Sequence, residues 1–170
     1  PLLLVAAGVP QENAIMAVVL LNAGGVAGGL LIGRLLDRVS VFAVLALAFG
    51  LGAIAVYALG ATLSTGLTLT LTMTAVTGFT LFGGQMNFPG LTANYYPVQV
   101  RSTGAGWAMA FGRMGSVIGP LAGGALVTMQ LDTAQMLELS AIPAVLAAIV
   151  LLILARACPE RGSRNVNPDR

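Results

Sequence analysis

One arginine and three side-chain amides interrupt long apolar segments of this sequence. Arg113 follows a run of small and apolar residues, while Asn22, Gln85 and Asn87 lie within two other apolar stretches. A guanidinium group presents a planar fork of donors that fits a carboxylate, and an amide both donates and accepts hydrogen bonds. These four side chains are therefore the candidates for binding an anionic or polar solute.

Each of the four also has a purely structural interpretation. The arginine could bond to carbonyls of neighbouring helices or pair with an acid elsewhere in the protein, and each amide could join two helices. Gln85 and Asn87 point about 200° apart around a helix, so we do not expect them to contact the same ligand atom. Asn87 shares a face with Thr80 and Gly84.

Catalytic chemistry lacks its usual side chains in this sequence. Histidine is absent, Cys158 is the single cysteine, and all six acidic residues stand at or beyond the ends of apolar runs. A Ser-His or Cys-His pair, a zinc or haem site and an internal disulfide therefore lack the residues they need. We expect no catalytic residue, no metal, no cofactor and no enzyme activity.

The composition predicts a membrane protein. Hydrophobic residues make up 57% of the chain and charged residues 8%, against about 25% charged residues in a soluble domain. Apolar runs predict five full spans, at about 13–33, 40–60, 67–93, 104–129 and 137–156. Residues 1–9 would end a preceding helix, and residues 157–170 would form a disordered tail. The expected fold is an all-α membrane protein with five full transmembrane helices and the end of a sixth.

One segment contradicts this pattern locally. Residues 67–74 read LTLTLTMT, which alternates with the period of a β-strand. The apolar run continues well beyond this segment, and an isolated strand cannot satisfy its backbone groups in lipid. We therefore predict a helix whose threonine hydroxyls bond to the preceding turn.

The arginines predict the orientation in the membrane, because short cytoplasmic loops carry the excess of basic residues. The connections after spans one, three and five contain Arg34 and Arg38, then Arg101, then Arg156, Arg161, Arg164 and Arg170. The other connections contain no basic residue. These three basic segments, including the C-terminal tail, are predicted to be cytoplasmic.

Polar residues at membrane depth usually face other helices or a water-filled cavity. Spans one, three and four contain them, whereas spans two and five are almost wholly apolar. We expect the former to line a polar pathway and the latter to face lipid. Arg113 lies about 14 Å from the cytoplasmic end of span four, close to the middle of the membrane.

Glycine and proline spacing predicts close packing and bending of the helices. Glycines recur at every fourth residue in two spans, at Gly25, Gly29 and Gly33 and at Gly115, Gly119 and Gly123. This spacing lets neighbouring backbones approach closely. Pro89 and Pro120 interrupt the helical hydrogen bonds and are expected to bend spans three and four.

Three stretches resemble motifs of the major facilitator superfamily of secondary transporters. Residues 33–38, GRLLDR, are similar to the loop motif GxxxDR, although Ser40 replaces its second glycine and the following basic pair is absent. Residues 115–124, GSVIGPLAGG, match GxxxGPxxGG. Residues 96–115, YPVQVRSTGAGWAMAFGRMG, are most similar to the aromatic acid:proton symporters of this superfamily.

The resemblance implies that the chain is the C-terminal six-helix half of a major facilitator fold, with the five spans as helices eight to twelve. It places Asp37, Arg38 and Arg101 in a cytoplasmic charge cluster that stabilises one state of alternating access, although these charges could serve only to set the topology. Arg113 would lie beside the central site and hold a benzoate-type carboxylate. The proton carrier would belong to the missing N-terminal half.

We therefore expect a secondary transporter of the bacterial cytoplasmic membrane that takes up an aromatic carboxylate with protons. Its partners would be the lipid bilayer, the aromatic acid, the proton and the N-terminal half of the same protein, and no nucleic acid. Two alternatives remain. The chain could belong to a carrier of another solute, such as a sugar, a dicarboxylate or an exported drug, or to a membrane scaffold without transport.

Overall fold

The computed structural model describes residues 5, 9–62, 66–90, 99–129 and 132–157. Its five long helices are α1 (Gln11–Leu36), α2 (Val41–Thr62), α3 (Leu67–Gly90), α4 (Arg101–Thr128) and α5 (Thr133–Ala157). Each is long and apolar enough to cross a membrane, and the described ranges contain no strand. The predicted all-α membrane fold with five full spans is confirmed. The predicted tail and nearly all of the predicted preceding helix lie outside the described residues.

The threonine-rich start of α3 is helical, as predicted. Several threonine hydroxyls bond to carbonyls of the same helix instead of to solvent. Thr72, Thr74 and Thr77 each donate to the carbonyl four residues earlier, at 2.8 Å. Thr70, Thr74 and Thr77 are also buried. The hydroxyl of Thr70 instead donates to the carbonyls of Thr62, at the end of α2, and of Gly66, both at 3.1 Å. Because the three buried hydroxyls all bond to carbonyls, the helix can pack this threonine face against other helices without leaving them unpaired.

A change of helix type interrupts α3 near its middle. The segment Leu67–Thr77 is α-helical, Gly78–Phe82 forms one turn of π-helix, and Gly83–Gln85 returns to α-helix. The amide of Gly83 donates to the carbonyl of Gly78, five residues earlier, which defines the wider turn. Sequence periodicity did not predict this feature.

Four of the helices pack in the order α1, α3, α2, α5. The core between them contains Leu45, which is fully buried, together with Phe42, Ile32 and Leu151. As the inner helix between α3 and α5, α2 is the most buried of the five. Its exposed stripe is still apolar or aromatic, at Leu47, Leu51, Ile54 and Tyr57. A membrane-facing surface requires this composition because hydrocarbon cannot satisfy polar side chains.

Helix α4 differs from the other four. It contains no buried residue, and it packs against none of the other described helices over an extended surface. Large apolar side chains therefore cover an open surface, among them Trp107, Phe111 and Leu121. Its whole circumference is available for partners outside the described residues.

Candidate functional site

Arg113 lies near the middle of α4, twelve residues after the helix begins at Arg101. At about 1.5 Å per residue this distance is about 18 Å, which places the guanidinium near the centre of a membrane core about 30 Å thick. Its side chain is exposed, and it forms no hydrogen bond or ion pair with any described residue. The described helices therefore leave all of its donors available for a solute or for another part of the protein.

Helical geometry places Arg113 on its own face of α4. Pro120 and Gly124 lie on the same face of α4 as Arg113, toward the C-terminal end of the helix. The space next to Arg113 in that direction is therefore bordered by residues with little side-chain bulk. Trp107 and Phe111 lie on a different side of the helix, with ring centroids 5.9 Å apart. The aromatic pair and the guanidinium are therefore not parts of one pocket on α4.

Asn87 joins α3 to α1. Its amide nitrogen donates to the carbonyl of Gly83 at 2.8 Å within α3 and to the carbonyl of Gly29 on α1 at 3.4 Å. A β-carbon at Gly33 would lie 3.1 Å from the Asn87 side-chain oxygen. The side chain is only partly buried, so it combines a contact between helices with access from one side.

Gln85 and Asn22 have different surroundings from Asn87. Gln85 is exposed and forms no hydrogen bond through its side chain with any described residue. Asn22 is exposed as well, but its amide donates to the carbonyl of Val18 on its own helix at 2.8 Å. Of the three amides, Gln85 is the one with all its hydrogen-bonding groups available.

The residues of the predicted charge cluster lie at helix ends. Asp37 and Arg38 are exposed in the turn that follows α1, and Arg101 is exposed at the start of α4. Within the part of the chain that the structure describes, no ion pair joins Asp37 to Arg38, whereas Arg101 takes part in an interaction of its own. The cluster therefore stays a prediction.

The predicted packing glycines of α1 lie along α3. A β-carbon at Gly25 would lie 2.9 Å from the β-carbon of Phe82, and one at Gly29 would lie 3.2 Å from the sulfur of Met86. By contrast, β-carbons at Gly115, Gly119 and Gly123 of α4 would have nothing within 4 Å among the described residues. Pro120 stands inside α4 and Pro89 is exposed in the last turn of α3.

The closest backbone contacts involve glycines that sequence reasoning missed. A β-carbon at Gly24 of α1 would collide with the carbonyl oxygen of Ala75, and one at Gly28 would collide with the carbonyl oxygen of Phe79. In the opposite direction, a β-carbon at Gly78 of α3 would collide with the carbonyl oxygen of Leu21 on α1. The available signal was the doublets in AGGVAGG, which contain two sets of glycines spaced four apart. Spacing alone does not indicate which set faces the neighbouring helix.

The described residues do not assemble a complete binding site. They bring Asn87 to α1, leave Gln85 open on α3, and leave Arg113 open on α4, which packs apart from both. No group of three or more potential metal ligands occurs among the described residues. The available side chains are suited to reversible binding of an anion, through hydrogen bonds and the charge of Arg113, on helices long enough to cross a membrane.

These features define a multi-pass membrane protein with polar side chains at depth. The Major Facilitator Superfamily model matches residues 2–170, and the chain belongs to this superfamily. The resemblance inferred from the three motifs is therefore confirmed. No solved structure matches the chain.

Several curated relatives are similar over most of the chain. It is 34% identical to the gallate transporter of Pseudomonas putida over 152 residues. The matched region covers 89% of this chain and 34% of the relative. It is 29% identical over 153 residues to the 4-hydroxybenzoate transporter of the same species, covering 90% and 34%. It is 32% identical over 154 residues to the benzoate transport protein of Acinetobacter baylyi, covering 91% and 33%.

The chain spans about a third of the length of these relatives. All three are named as transporters and none as an enzyme, in agreement with the expectation from the residue inventory. The resemblance to aromatic acid transporters in particular is confirmed by these similarities.

Proposed function

We propose that the full-length protein containing this chain takes up an aromatic carboxylate with protons across the bacterial cytoplasmic membrane, by alternating access. The observation that carries the proposal is Arg113, whose guanidinium has no partner among the described residues and is expected at mid-membrane depth, in a chain similar to gallate, 4-hydroxybenzoate and benzoate transporters. A benzoate-type solute combines a carboxylate that fits this donor fork with an apolar ring that tolerates a membrane interior.

Within this proposal Arg113 binds the carboxylate and Gln85 contacts a polar substituent of the ring. Both side chains have hydrogen-bonding groups that no described residue uses. Asn87 borders the site and holds α3 against α1, and it is available to the solute only from its exposed side. Asn22 is a weaker candidate because its amide is bonded to its own helix.

The proposed orientation places the basic connections and the C-terminus in the cytoplasm. Asp37, Arg38 and Arg101 then lie on the cytoplasmic side, where they stabilise one of the two states of the alternating-access cycle. The acidic residues of the described helices lie near helix ends, such as Glu12 in the first turn of α1. The proton is therefore carried by residues in the part of the full-length protein that this chain does not cover.

Competition for uptake tests the substrate class. We expect cells that express the full-length protein to take up labelled 4-hydroxybenzoate. An excess of unlabelled benzoate or gallate should suppress that uptake, whereas a neutral sugar should leave it unchanged. Uptake of the sugar with no response to any aromatic acid would show that the substrate class is wrong. No saturable uptake of any solute would support the scaffold alternative.

A further inference from the structure

The π-helical turn Gly78–Phe82 lies in a helix that packs against two neighbours. α3 contacts α1 on one side and α2 on another, both before and after this turn. Turns of this kind are rare, they are usually single, and they occur frequently at functional sites. A backbone that could form a regular α-helix therefore needs a specific reason to keep the wider turn.

Contacts with α1 hold both ends of the turn. Gly78 begins it, and a β-carbon there would collide with the carbonyl oxygen of Leu21. Gly83 follows it directly, and a β-carbon there would lie 2.6 Å from the carbonyl carbon of Gly28. The two glycines let the backbones of α3 and α1 touch on either side of the turn.

Thr80 ties the turn to the preceding α-helical segment. It is the single threonine of the π turn, and it is buried. Its hydroxyl donates to the carbonyl of Val76 at 2.8 Å and also lies 3.3 Å from the carbonyl oxygen of Thr77. A hydroxyl bonded in this way competes with the backbone amide for a carbonyl, and such bonds often distort a helix.

The turn determines which side chains beyond it face α1. A π turn contains one residue more than an α-helical turn, so it rotates the following residues by about 100° relative to a continuous α-helix. With the turn present, Met86 lies against Gly29, Asn87 donates to the carbonyl of Gly29, and Gln85 is exposed. If α3 were a continuous α-helix, each residue beyond the turn would occupy the position that the following residue now has. Gln85 would then take the position of Met86 and face α1, and Asn87 would turn away from α1.

We propose that Thr80 is a positioning residue: by holding the π turn, it keeps Gln85 on the open side of α3 and Asn87 against α1. The part of this inference that concerns solute binding rests on the proposed function, whereas the part that concerns helix register does not. Thr80 itself has no contact with the solute, because its hydroxyl is buried and bonded within α3.

Disulfide cross-linking in the full-length protein measures the register directly. A β-carbon at Gly29 would lie 3.6 Å from the β-carbon of Met86, which is close to the separation of about 3.8 Å in disulfides. In a Cys158→Ser background without other cysteines, the pair Gly29→Cys and Met86→Cys should therefore cross-link efficiently. The pair Gly29→Cys and Gln85→Cys should cross-link poorly.

Substitution at Thr80 should move the cross-link by one residue. In Thr80→Val we expect the yield of the 29–86 pair relative to the 29–85 pair to fall about fivefold, the factor for one hydrogen bond of average strength. Thr80→Ser keeps the hydroxyl and should keep the ratio. An unchanged ratio in Thr80→Val would overturn the proposal.

Two controls separate a register change from general damage. Thr77→Val removes a hydroxyl that is also buried but is bonded inside the regular α-helix, so its ratio should stay as in the unsubstituted protein. The pair Gly60→Cys and Leu137→Cys joins α2 to α5, where the corresponding β-carbons would lie 3.6 Å apart. Loss of this second cross-link in Thr80→Val, or an equal fall in Thr77→Val, would contradict a specific role of Thr80.

Uptake of 4-hydroxybenzoate tests the functional part separately. If Gln85 contacts the solute, Thr80→Val should raise KM about fivefold and Thr80→Ser should not. A register change with an unchanged KM would contradict the positioning of a solute contact while leaving the proposed transport function in place. Absence of uptake in the unsubstituted protein would instead contradict the proposed function, and the cross-link ratio would still decide the role of Thr80.

Discussion

A guanidinium in the middle of a membrane helix raises the free energy of insertion by about 2.5 to 3.5 kcal/mol. None of the described residues offsets this cost for Arg113, because its side chain has no hydrogen-bonding or ionic partner among them. A partner must therefore come from a solute or from the rest of the protein. Under the proposed function, a carboxylate substrate is this partner, and it binds reversibly, as a transport cycle requires.

Arg113→Lys is the substitution that separates geometry from charge. Lysine keeps the positive charge but loses the planar fork that binds both oxygens of a carboxylate. We expect kcat/KM for 4-hydroxybenzoate to fall at least tenfold, as the loss of one charge-assisted hydrogen bond predicts. The amount of protein in the membrane should not change.

Arg156→Lys is the matched control, because Arg156 is in the last turn of α5, far from mid-membrane depth. Its uptake should equal that of the unsubstituted protein. Normal uptake by the Arg113→Lys variant would show that Arg113 is not part of the binding site.

Asn87 and Asn22 should differ in their effects on stability. Asn87→Ala removes a hydrogen bond between two helices, which is worth about 0.6 kcal/mol on average inside membranes. Asn22→Ala removes only a bond to its own helix, on an exposed side chain. Thermal unfolding of the purified full-length protein should show a lower midpoint for Asn87→Ala than for Asn22→Ala, and the reverse order would exclude the bridging role of Asn87.

At the level of the helices, the pair α1 and α3 depends on direct contact between backbones. Gly28→Ala places a methyl group against the carbonyl of Phe79, where no flexible side chain can move aside. We expect a loss of about 1 to 3 kcal/mol of stability. Thermal unfolding of the full-length protein measures this loss.

Gly50→Ala in α2 provides the control for helix propensity. A β-carbon at Gly50 would have nothing within 4 Å among the described residues, so alanine should be neutral or stabilise the helix by up to about 1 kcal/mol. Equal effects of the two alanine substitutions would mean that the contact between α1 and α3 is looser than the structure describes.

The sequence predicted the helices well because each span is long and lipid restricts the backbone to few structures. It predicted the helical state of LTLTLTMT for the same reason. It could not predict the π turn, because GFTLF has no distinctive periodicity, nor that Gly24 and Gly28 form the closest contacts. Both depend on how α1 meets α3, which is information about a neighbouring helix rather than about the local sequence.

Part of the candidate site was also predictable. A lone arginine is conspicuous in a nearly uncharged span, so Arg113 could be selected from sequence alone. The different surroundings of the three amides could not be predicted, since residue type does not indicate whether an amide bonds to its own helix, to a neighbour or to neither. Asn22, Asn87 and Gln85 represent these three cases in turn.

At the scale of the whole molecule, the orientation can be tested by labelling. Val39 is exposed in the connection after α1, and Ala61 is exposed near the opposite end of α2. In a Cys158→Ser background, Val39→Cys should react with a membrane-impermeant maleimide only in inside-out vesicles, and Ala61→Cys only in right-side-out vesicles. The opposite pattern would mean that the basic connections are not cytoplasmic.

The open surface of α4 is also a property of the whole molecule, because it concerns how this helix packs relative to the others. Four helices pack in one row while α4, which contains the proposed carboxylate contact, has no buried residue. The relatives are about three times as long as this chain, so the proposed site depends on parts of the full-length protein that the chain does not cover. Transport must therefore be measured on the full-length protein.

Accumulation of labelled 4-hydroxybenzoate in proteoliposomes that contain the purified full-length protein tests the central proposal most directly. With an imposed inward proton gradient, we predict accumulation above the external concentration, and a protonophore should abolish it. Accumulation that does not exceed that of protein-free liposomes, or that continues unchanged with the protonophore, would contradict proton-driven uptake of an aromatic carboxylate.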